Sequence, residues 1–297
     1  MTTVLGLDIG GTRTRAWLAR DGIVVAEAEG GSASLTAAGR QQAEIALAAI
    51  LSQLSVRAAS LDAVCAGTAG SGSGDARDFL SARLAPLTRH GTVIVVSDVG
   101  LILPAAGVGD GIALVAGTGS NCVGRQAGAE RAAGGWGYLL GDEGSGYWIV
   151  REAVREVLRR HDDGAAPGPL TRELLHAMSC PDQRTLLQRC YDDPRPDVWA
   201  ARVPAVLGTD DPFAAGLLDR AARALAGLAA SCSRRLAAGP GLPVVLAGGL
   251  LTGHRALAER TGDHIQRLLP GAPVLTLSCP PVAGAVALAQ AAAAATG

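Results

Sequence analysis

Apolar runs divide the first third of the chain into short strands and helices. Val4 to Ile9 is an apolar strand, and the alternation from Arg13 to Ala19 and the segment from Ile23 to Ala28 after an Asp-Gly turn predict two more. From Thr36 to Ala106, helical spacing alternates with short apolar strands. The predicted helices are Thr36 to Leu54, Asp75 to Leu87 and Val99 to Ala106, and the predicted strands are Leu61 to Ala66 and Thr92 to Val96. This order predicts a mixed sheet of three antiparallel strands and two further strands, covered by helices.

The same pattern partly restarts after Gly107 to Gly111. A strand from Gly111 to Ala116 again ends in a glycine–threonine turn, which indicates a distant duplication of an α/β domain with a boundary near residue 108. The further predicted strands are Asn121 to Gln126, Arg131 to Ala133, Val244 to Ala247 and Val274 to Leu277. The predicted helices are Ser145 to Arg160, Leu170 to Met178, Asp182 to Tyr191, Pro196 to Leu207, Asp211 to Leu236 and a last helix from Val282.

Composition narrows the possible classes of function. Of 297 residues, 48% are hydrophobic and 18% are charged, and the mean hydropathy is +0.27, so the chain can bury a large core and is not disordered. The net charge of −1 leaves no basic excess for a nucleic-acid partner. The chain contains no lysine, which excludes a Schiff-base lysine, a Walker A lysine and a protein-kinase active site.

The six cysteines show no metal-binding spacing, because no two are closer than ten residues apart. The chain opens directly into an apolar strand, and its apolar stretches are broken by glycine or proline before they reach the length of a membrane span. We therefore expect a cytoplasmic protein with reduced thiols and no contact with a membrane.

Two strand-end turns have the composition of phosphate-binding loops. Asp8 is followed by Gly10, Gly11 and Thr12, and the second turn runs from Gly117 to Asn121. Glycines allow backbone amides to approach an anion, a threonine hydroxyl adds a donor, and Asp8 can hold a hydrated Mg²⁺. With no lysine available, two such turns, backbone amides and Mg²⁺ would supply the positive field for a polyphosphate.

Three further features carry candidate chemistry. Asp98 ends an apolar strand, where a carboxylate suits a general base and also suits the N-cap of the next helix. The segment 134–146 contains six glycines in 13 residues, and its Trp136 and Asp142 are typical of a site that binds a polyol. The structural alternative is that its acidic residues belong to the first turn of a helix and complement the helix dipole. The diglycine Gly248-Gly249 follows a strand and would let a nucleoside lie against the backbone.

Taken in order, these motifs resemble the N-acetylglucosamine kinase branch of the sugar kinase, actin and heat-shock ATPase superfamily, the BadF/BadG/BcrA/BcrD type of domain. The resemblance implies two ribonuclease-H-like domains, 1–108 and 109–280, with a hinged cleft, and a terminal helix, 281–297, that packs back on the first domain. It also implies an ATP- and Mg²⁺-dependent enzyme whose partners are a small-molecule sugar and ATP, commonly as a homodimer.

The same resemblance assigns roles to individual residues. Asp98 would be the base on the sugar 6-hydroxyl, with Thr118, Gly119, Gly135, Trp136 and Asp142 near the sugar. The ATP phosphates would meet Asp8 (as the metal ligand), Gly10, Gly11, Thr12 and Thr118, and the adenosine would meet Gly248 and Gly249.

One departure affects the choice of sugar. Ser32 and Ser34 stand in the loop where relatives carry an asparagine that contacts sugar hydroxyls, so these serines would have to serve. Glu143 joins Asp142 in an acidic segment that suits an ammonium group. We therefore expect glucosamine as the acceptor, with N-acetylglucosamine as the alternative; relatives of this kind include glucosamine kinases.

Other classes remain as alternatives. The activator ATPase of 2-hydroxyacyl-CoA dehydratases shares the domain but needs cysteines that hold an iron–sulfur cluster, and the spacing here does not provide them. A sugar-responsive regulator would need an N-terminal helix-turn-helix, which the strand that begins by Val4 leaves no room for. A filament-forming actin relative would lack the sugar loop.

Overall fold

The computed structural model describes residues 1–68 and 74–296, which form two compact units. The first unit contains residues 1–109 and 277–297, and the second contains residues 110–276. Gly297, the last residue of the predicted terminal helix, lies outside the described residues.

The first unit is built on a five-stranded mixed sheet with the order β3-β2-β1-β4-β5. Its strands are β1 (Thr3–Ile9), β2 (Arg13–Arg20), β3 (Ile23–Gly31), β4 (Ala63–Thr68) and β5 (Val93–Val96). Strands β1, β2 and β3 are antiparallel neighbours, whereas β1, β4 and β5 are parallel. The carboxyl ends of the three parallel strands therefore meet at one edge, which brings the turn after Ile9 and the segment after Val96 to the same side of the sheet.

Helices cover both faces of this sheet. They are α1 (Leu35–Ala38), α2 (Arg40–Gln53), α3 (Gly74–Leu84), α4 (Ile102–Ala105) and α13 (Val282–Thr296), with 3₁₀ turns at Ala85–Leu87 and Val99–Leu101. One apolar core joins the sheet to α2 and α3, and a second joins it to α13. Helix α13 lies very close to β1, because a Cβ at Gly6 would be 2.7 Å from the backbone nitrogen of Val286.

The second unit repeats the same sheet topology in the order β8-β7-β6-β9-β10. Its strands are β6 (Gly111–Ala116), β7 (Ser120–Gln126), β8 (Ala129–Gly134), β9 (Val244–Ala247) and β10 (Val274–Thr276). As in the first unit, an antiparallel meander is followed by two parallel strands. The turn after Ala116 and the diglycine after Ala247 therefore lie at the same edge.

The helices of the second unit form one large apolar core with its sheet. They are α5 (Gly146–Asp162), α6 (Pro169–Ala177), α7 (Gln183–Asp192), α8 (Pro196–Ala200), α9 (Val203–Leu207), α10 (Pro212–Leu236), α11 (Gly249–Gly253) and α12 (Arg255–Leu268). Helix α10 runs along strands β6, β7 and β8. Within the described residues no helix is long and apolar enough to cross a membrane, and all six cysteines are free thiols.

Four predicted helices differ from the structure. The one from Asp75 to Leu87 ends as an α-helix at Leu84 and continues as a 3₁₀ turn. The prediction from Thr36 to Leu54 is divided at Gly39, whose φ of 75° ends α1 before α2 begins. The prediction from Pro196 to Leu207 is divided between α8 and α9, since Pro204 begins a new helix at its second position. The predicted helix after Asp98 starts as a 3₁₀ turn before α4.

Candidate functional site

The strand-end turn of the first unit leaves donors free for a ligand. The amide of Gly10 donates to the carbonyl oxygen of Arg13 at 2.9 Å, which closes the turn between β1 and β2. The next two amides, of Gly11 and Thr12, and the exposed Thr12 hydroxyl have no hydrogen-bond partner in the part of the chain that the structure describes. Consecutive free amides of this kind form a concavity that suits an anion.

Two half-buried carboxyl groups flank this turn. Asp8 lies near the end of β1, and Asp98 follows β5 at the same edge of the sheet. Burial and the negative charge of Asp98 raise the pKa of Asp8 to about 6, against the opposing charges of Arg15 and Arg13. Burial also raises the pKa of Asp98, although the amide of Val99, which donates to Asp98 Oδ1 at 3.0 Å, opposes that shift.

The structure shows one of the two roles considered for Asp98, the N-cap, and the role of general base stays a prediction. One carboxylate oxygen caps the 3₁₀ turn, and the side chain as a whole is only half-buried at the edge of the sheet. Neither Asp98 nor Asp8 forms an ion pair within 4 Å of a described cationic side chain. The unit thus holds two carboxyl groups near a phosphate-type turn, and both keep acceptor oxygens for a ligand.

The two serines predicted to contact sugar have local hydrogen-bond partners. The Ser32 hydroxyl donates to the carbonyl oxygen of Gly10 at 2.7 Å and ties the end of β3 to the turn. Ser34 is 1% exposed, and its hydroxyl lies 3.0 Å from the Thr36 hydroxyl. These bonds give both serines a local structural role, and their predicted contact with the sugar stays a prediction.

The turn of the second unit has the same design. The amide of Gly117 donates to the carbonyl oxygen of Gly119 at 2.9 Å, and the amides of Thr118 and Gly119 have no partner among the described residues. The Thr118 side chain is exposed, and its hydroxyl is likewise unpaired there. This turn also presents two amides and one threonine hydroxyl to a ligand.

The start of α5 holds this second turn in place. The amide of Gly146 donates to the carbonyl oxygen of Gly117 at 2.8 Å, and the amide of Tyr147 donates to that of Thr118 at 3.2 Å. Ser145 caps the helix by accepting from the amide of Trp148 at 3.2 Å. Because the carbonyls of the turn are bound by the helix, its free amides are fixed in direction.

Asp142 packs against the same turn. The amide of Ser120 donates to Asp142 Oδ1 at 3.2 Å, and a Cβ at Gly119 would lie 2.6 Å from Asp142 Oδ2, so a larger residue there would displace the carboxylate. Burial raises the pKa of Asp142, the hydrogen bond from Ser120 lowers it, and the charge of Glu143 raises it. Glu143 itself is exposed, and neither carboxylate is in an ion pair among the described residues.

The apolar part of the candidate sugar site is on the surface of the second unit. Trp136 is 73% exposed, and Leu139 and Leu140 in the same loop are 75% and 83% exposed. Gly135 lies against Asn121, since a Cβ at Gly135 would be 3.0 Å from Asn121 Oδ1, and that oxygen accepts from the amide of Cys122. The structure thus brings Thr118, Gly119, Asp142 and Gly135 to connected loops of one unit.

The diglycine borders a cavity of about 400 Å³ in the second unit. Gly248 has a φ of 88°, and a Cβ there would overlap the carbonyl oxygen of Ala116, so its backbone lies directly on the end of β6. The cavity is lined by residues of the turn, of α8 and α9, and of α11, namely Gly117, Thr118, Gly146, Asp197, Ala200, Ala201, Val203, Pro204, Gly249, Leu250 and His254. A largely apolar wall around a cavity of this size suits the base of a nucleotide.

Sequence reasoning missed several of these residues. Asp197 and His254 line the cavity. Neither lies in a recognisable motif, and they are too far apart in the sequence for any local pattern to connect them. Ser120, Asn121 and Ser145 were visible in the motifs, and their hydrogen bonds show that they position the turn and the loop around it.

The architecture defines the class of protein to which the chain is related. The predicted α/β fold with two actin-like ATPase domains is confirmed, because two repeats of a five-stranded mixed sheet are matched by solved sugar kinases. A candidate N-acetylglucosamine kinase of Chromobacterium violaceum is 28% identical, with a TM-score of 0.75 over 98% of this chain and 99% of that one. A glucokinase of the ROK family from Streptomyces griseus, 16% identical with a TM-score of 0.61 over 97% and 98%, shares the fold.

The chain belongs to the BadF/BadG/BcrA/BcrD ATPase family, whose model matches residues 5–289. It is also similar to two curated proteins. The N-acetylmuramic acid/N-acetylglucosamine kinase of Clostridium acetobutylicum is 29% identical over 64% of this chain, and the N-acetyl-D-glucosamine kinase of Dictyostelium discoideum is 32% identical over 60%. The aligned segments span 65% and 59% of those two proteins' own lengths. The resemblance to this family that the motifs indicated is confirmed.

Proposed function

We propose that this chain is an ATP-dependent kinase of amino sugars that transfers the γ-phosphoryl group to the 6-hydroxyl of a hexosamine. The observation that carries the proposal is the repeated turn, which presents two free amides and a threonine hydroxyl in each unit. Membership of an ATPase family and similarity to proteins named as N-acetylglucosamine kinases support the same reaction.

Each of the two turns has donors that suit phosphate oxygens of ATP. Gly11 and Thr12 in the first unit, and Thr118 and Gly119 in the second, supply directed N–H and O–H donors. Such donors cost no reorganisation when negative charge moves during transfer, which is why preorganised amides are effective in phosphoryl transfer. Gly10 contributes by closing the first turn.

A magnesium ion fits the residues near the first turn. The negative charges of Asp8 and Asp98 repel one another, and a cation there would relieve the repulsion that helps to raise the pKa of Asp8. The described residues contain no cluster of three or more metal-ligating side chains, so Asp8 would supply one ligand and the phosphates and water the others, as is usual for Mg²⁺. When bound, the ion would neutralise charge on the transferring phosphoryl group.

Asp98 would act as the general base. Its carboxylate accepts the proton of the sugar hydroxyl as the hydroxyl oxygen forms its bond to the γ-phosphorus and the bond from phosphorus to the bridging oxygen of ADP breaks. A carboxylate whose pKa is raised by partial burial is a better proton acceptor than an exposed one. The products are a sugar 6-phosphate and ADP, and the proton leaves from Asp98.

The sugar would be bound by the loops of the second unit. Asp142 is fixed by the amide of Ser120 and retains carboxylate lone pairs for sugar hydroxyls, and Trp136 offers an exposed aromatic face to the apolar side of a pyranose ring. Gly119 and Gly135 allow Asp142 and Asn121 to approach closely. Each of these residues is a binding or positioning group for the acceptor.

Two acceptors are supported by different observations. The named relatives favour N-acetylglucosamine. The unpaired carboxylates of Asp142 and Glu143 favour glucosamine, because a 2-ammonium group gains about 1.5–3 kcal/mol from one charge-assisted hydrogen bond while an N-acetyl group gains nothing from charge. The loop with Ser32 and Ser34, whose hydroxyls have local bonds, is a weaker reason for choosing between the two sugars.

A coupled ADP-release assay across a panel of hexoses and hexosamines tests the proposal. The expected result is Mg²⁺-dependent turnover with an amino sugar, and a product whose phosphorus couples to the C6 protons in NMR. ATP hydrolysis that no sugar stimulates, in protein purified anaerobically with bound iron, would support the activator ATPase instead. The ratio of kcat/KM for glucosamine and N-acetylglucosamine then decides the acceptor.

A further inference from the structure

Two polar side chains in the cavity of about 400 Å³ have no hydrogen-bond or ion-pair partner among the described residues. Its walls are mainly glycine, alanine, valine, proline and leucine from the turn and from α8, α9 and α11. Asp197 and His254 are the lining residues with titratable side chains, and neither side chain has a hydrogen bond or ion pair in the described parts of the chain. Unpaired polar groups beside an apolar wall are the usual means by which a pocket orients its ligand.

Asp197 differs from the acidic residues around it. Asp193, which precedes α8, is bound by Arg195 in two hydrogen bonds of 2.8 and 2.9 Å, and Asp211 is bound by Arg160. The carboxylate of Asp197, in contrast, is exposed at the cavity with its acceptor oxygens free, while the backbone carbonyl of the same residue accepts from the amide of Ala201. A free carboxylate can only accept hydrogen bonds, so its ligand must present donors.

We propose that Asp197 binds the ribose hydroxyls of the nucleotide and makes the protein select ribonucleotides over 2′-deoxyribonucleotides. The inference rests on the proposed function, because it takes this cavity as the nucleotide pocket. A ribose offers two adjacent hydroxyl donors, which match the two oxygens of one carboxylate. The 2′-deoxy sugar offers one donor fewer at that position.

The distribution of polarity in the cavity favours ribose over base as the partner of Asp197. The walls from Ala200, Ala201 and Pro204 are apolar and suit the flat face of a base, while Asp197 is exposed and suits the hydrated part of a nucleoside. His254 is partly buried and lies on the segment that follows the diglycine, at the end of α11. The base would therefore meet the apolar wall, with the ribose toward Asp197.

Calorimetric binding of ADP and 2′-deoxy-ADP to the full chain tests the inference without any sugar or turnover. The wild type is expected to bind ADP about ten- to a hundredfold more tightly than 2′-deoxy-ADP, the range of one hydrogen bond to a charged group. Asp197→Ala is expected to weaken ADP binding by more than that factor, to weaken 2′-deoxy-ADP binding less, through loss of the bond to the 3′-hydroxyl, and so to abolish the preference. Asp197→Asn, which keeps one acceptor oxygen, should retain part of it.

The matched control is Asp263→Ala, which removes an exposed, unpaired carboxylate of the same unit that does not line the cavity. It should change neither affinity, and thermal unfolding of each variant reports whether it is folded. A preference for ADP that survives in Asp197→Ala overturns the inference. The inference is also overturned if Asp197→Ala keeps the preference for ADP over 2′-deoxy-ADP but loses a preference for ADP over IDP, because Asp197 would then bind the base. If the wild type does not bind ADP at all, the proposed function itself is overturned. If it binds ADP and 2′-deoxy-ADP equally, only the inference about Asp197 is overturned.

Discussion

The two strand-end turns share one backbone design and differ in what surrounds it. In each turn the first amide closes the turn, and the next two amides and a threonine hydroxyl have no hydrogen-bond partner among residues 1–68 and 74–296. The turn of the first unit is flanked by two half-buried carboxyl groups, Asp8 and Asp98. The Ser32 hydroxyl also donates a hydrogen bond to the carbonyl oxygen of Gly10 in this turn. The turn of the second unit is held by the first amides of α5 and by Asp142.

This difference indicates a division of labour after duplication. Carboxyl groups with raised pKa values suit proton transfer and metal binding, so under the proposed function the first unit would carry the reactive charges. A turn whose carbonyls are bound by a helix suits precise positioning, so the second unit would carry the surfaces that position the sugar. Substitutions in the first unit should therefore change kcat, whereas those in the second should change KM or stability.

The largest effect is expected at Asp98. Asp98→Asn removes the proton acceptor but retains an oxygen for the amide of Val99, so the cap and the fold should persist. We expect kcat to fall by about 10²- to 10⁴-fold, with little change in the KM for either substrate. Steady-state kinetics check this, with Asp78→Asn, an exposed carboxylate of the same unit, as the control. Turnover close to the wild-type rate would remove Asp98 from the chemical step.

The second largest effect is expected at Asp211, whose carboxylate binds Arg160 of α5. Asp211 is 4% exposed, accepts two hydrogen bonds from Arg160 at 2.8 and 3.0 Å and caps α10 through the amide of Phe213. Asp211→Asn should cost about 3 kcal/mol of unfolding free energy, the lower end for removing one partner of a buried pair, because Arg160 keeps Glu156. Denaturant unfolding measures it.

The same pair gives stability a dependence on pH. Its hydrogen bonds with Arg160 lower the pKa of Asp211 in the folded protein, so the stabilisation is present above the ordinary carboxyl range near pH 4 and is lost as the pH falls through the lowered value. Asp211→Asn should flatten the acid limb of the stability curve. The control is Glu259→Gln, which breaks an exposed pair with Arg255 and should change stability by less than about 1 kcal/mol. Equal losses in the two variants would contradict the assignment.

The fold and the turns could be predicted from sequence because their signals are local. A strand followed by glycines and threonine specifies a turn wherever it occurs, and the order of apolar segments specifies the sheet. The first turn is found where the sequence predicted it, at Gly10 to Thr12, and the second, predicted from Gly117 to Asn121, is shorter because β7 begins at Ser120.

The remaining features depend on contacts between distant segments. Nothing local shows that the Ser32 hydroxyl donates to the carbonyl oxygen of Gly10, or that Asp197 lines a cavity together with Gly249 from a much later segment of the chain. The division of the predicted helix at Gly39 is a smaller case, since a single glycine within a periodic segment is tolerated in many helices. The sequence thus defines where the ligand-binding loops are and leaves open which side chains pack around them.

The next largest effect is a loss of stability that we expect at Gly248 and not at its neighbour Gly249. Gly248→Ala places a Cβ at a positive φ and against the carbonyl oxygen of Ala116, the last residue before the second turn, and should destabilise the protein by about 2–3 kcal/mol. Gly249→Ala is the matched control, because its Cβ meets no atom within 4 Å and its stability should change by less than about 0.5 kcal/mol. Thermal unfolding of both variants measures this. Equal melting temperatures would show that β6 and the diglycine do not need the close approach.

The smallest effect is expected at the exposed aromatic of the second unit. Trp136→Ala should raise the KM for the sugar by about five- to thirtyfold, because loss of an apolar face that covers one side of a pyranose ring removes about 1–2 kcal/mol of binding. The KM for ATP and kcat should stay nearly constant, as expected if the second unit positions the acceptor while the first carries the reactive charges. Leu139→Ala provides the control, since Leu139 is as exposed as Trp136 and lies in the same loop. If both variants raise the sugar KM equally, general apolarity of the loop is responsible and Trp136 has no specific contact with the ring.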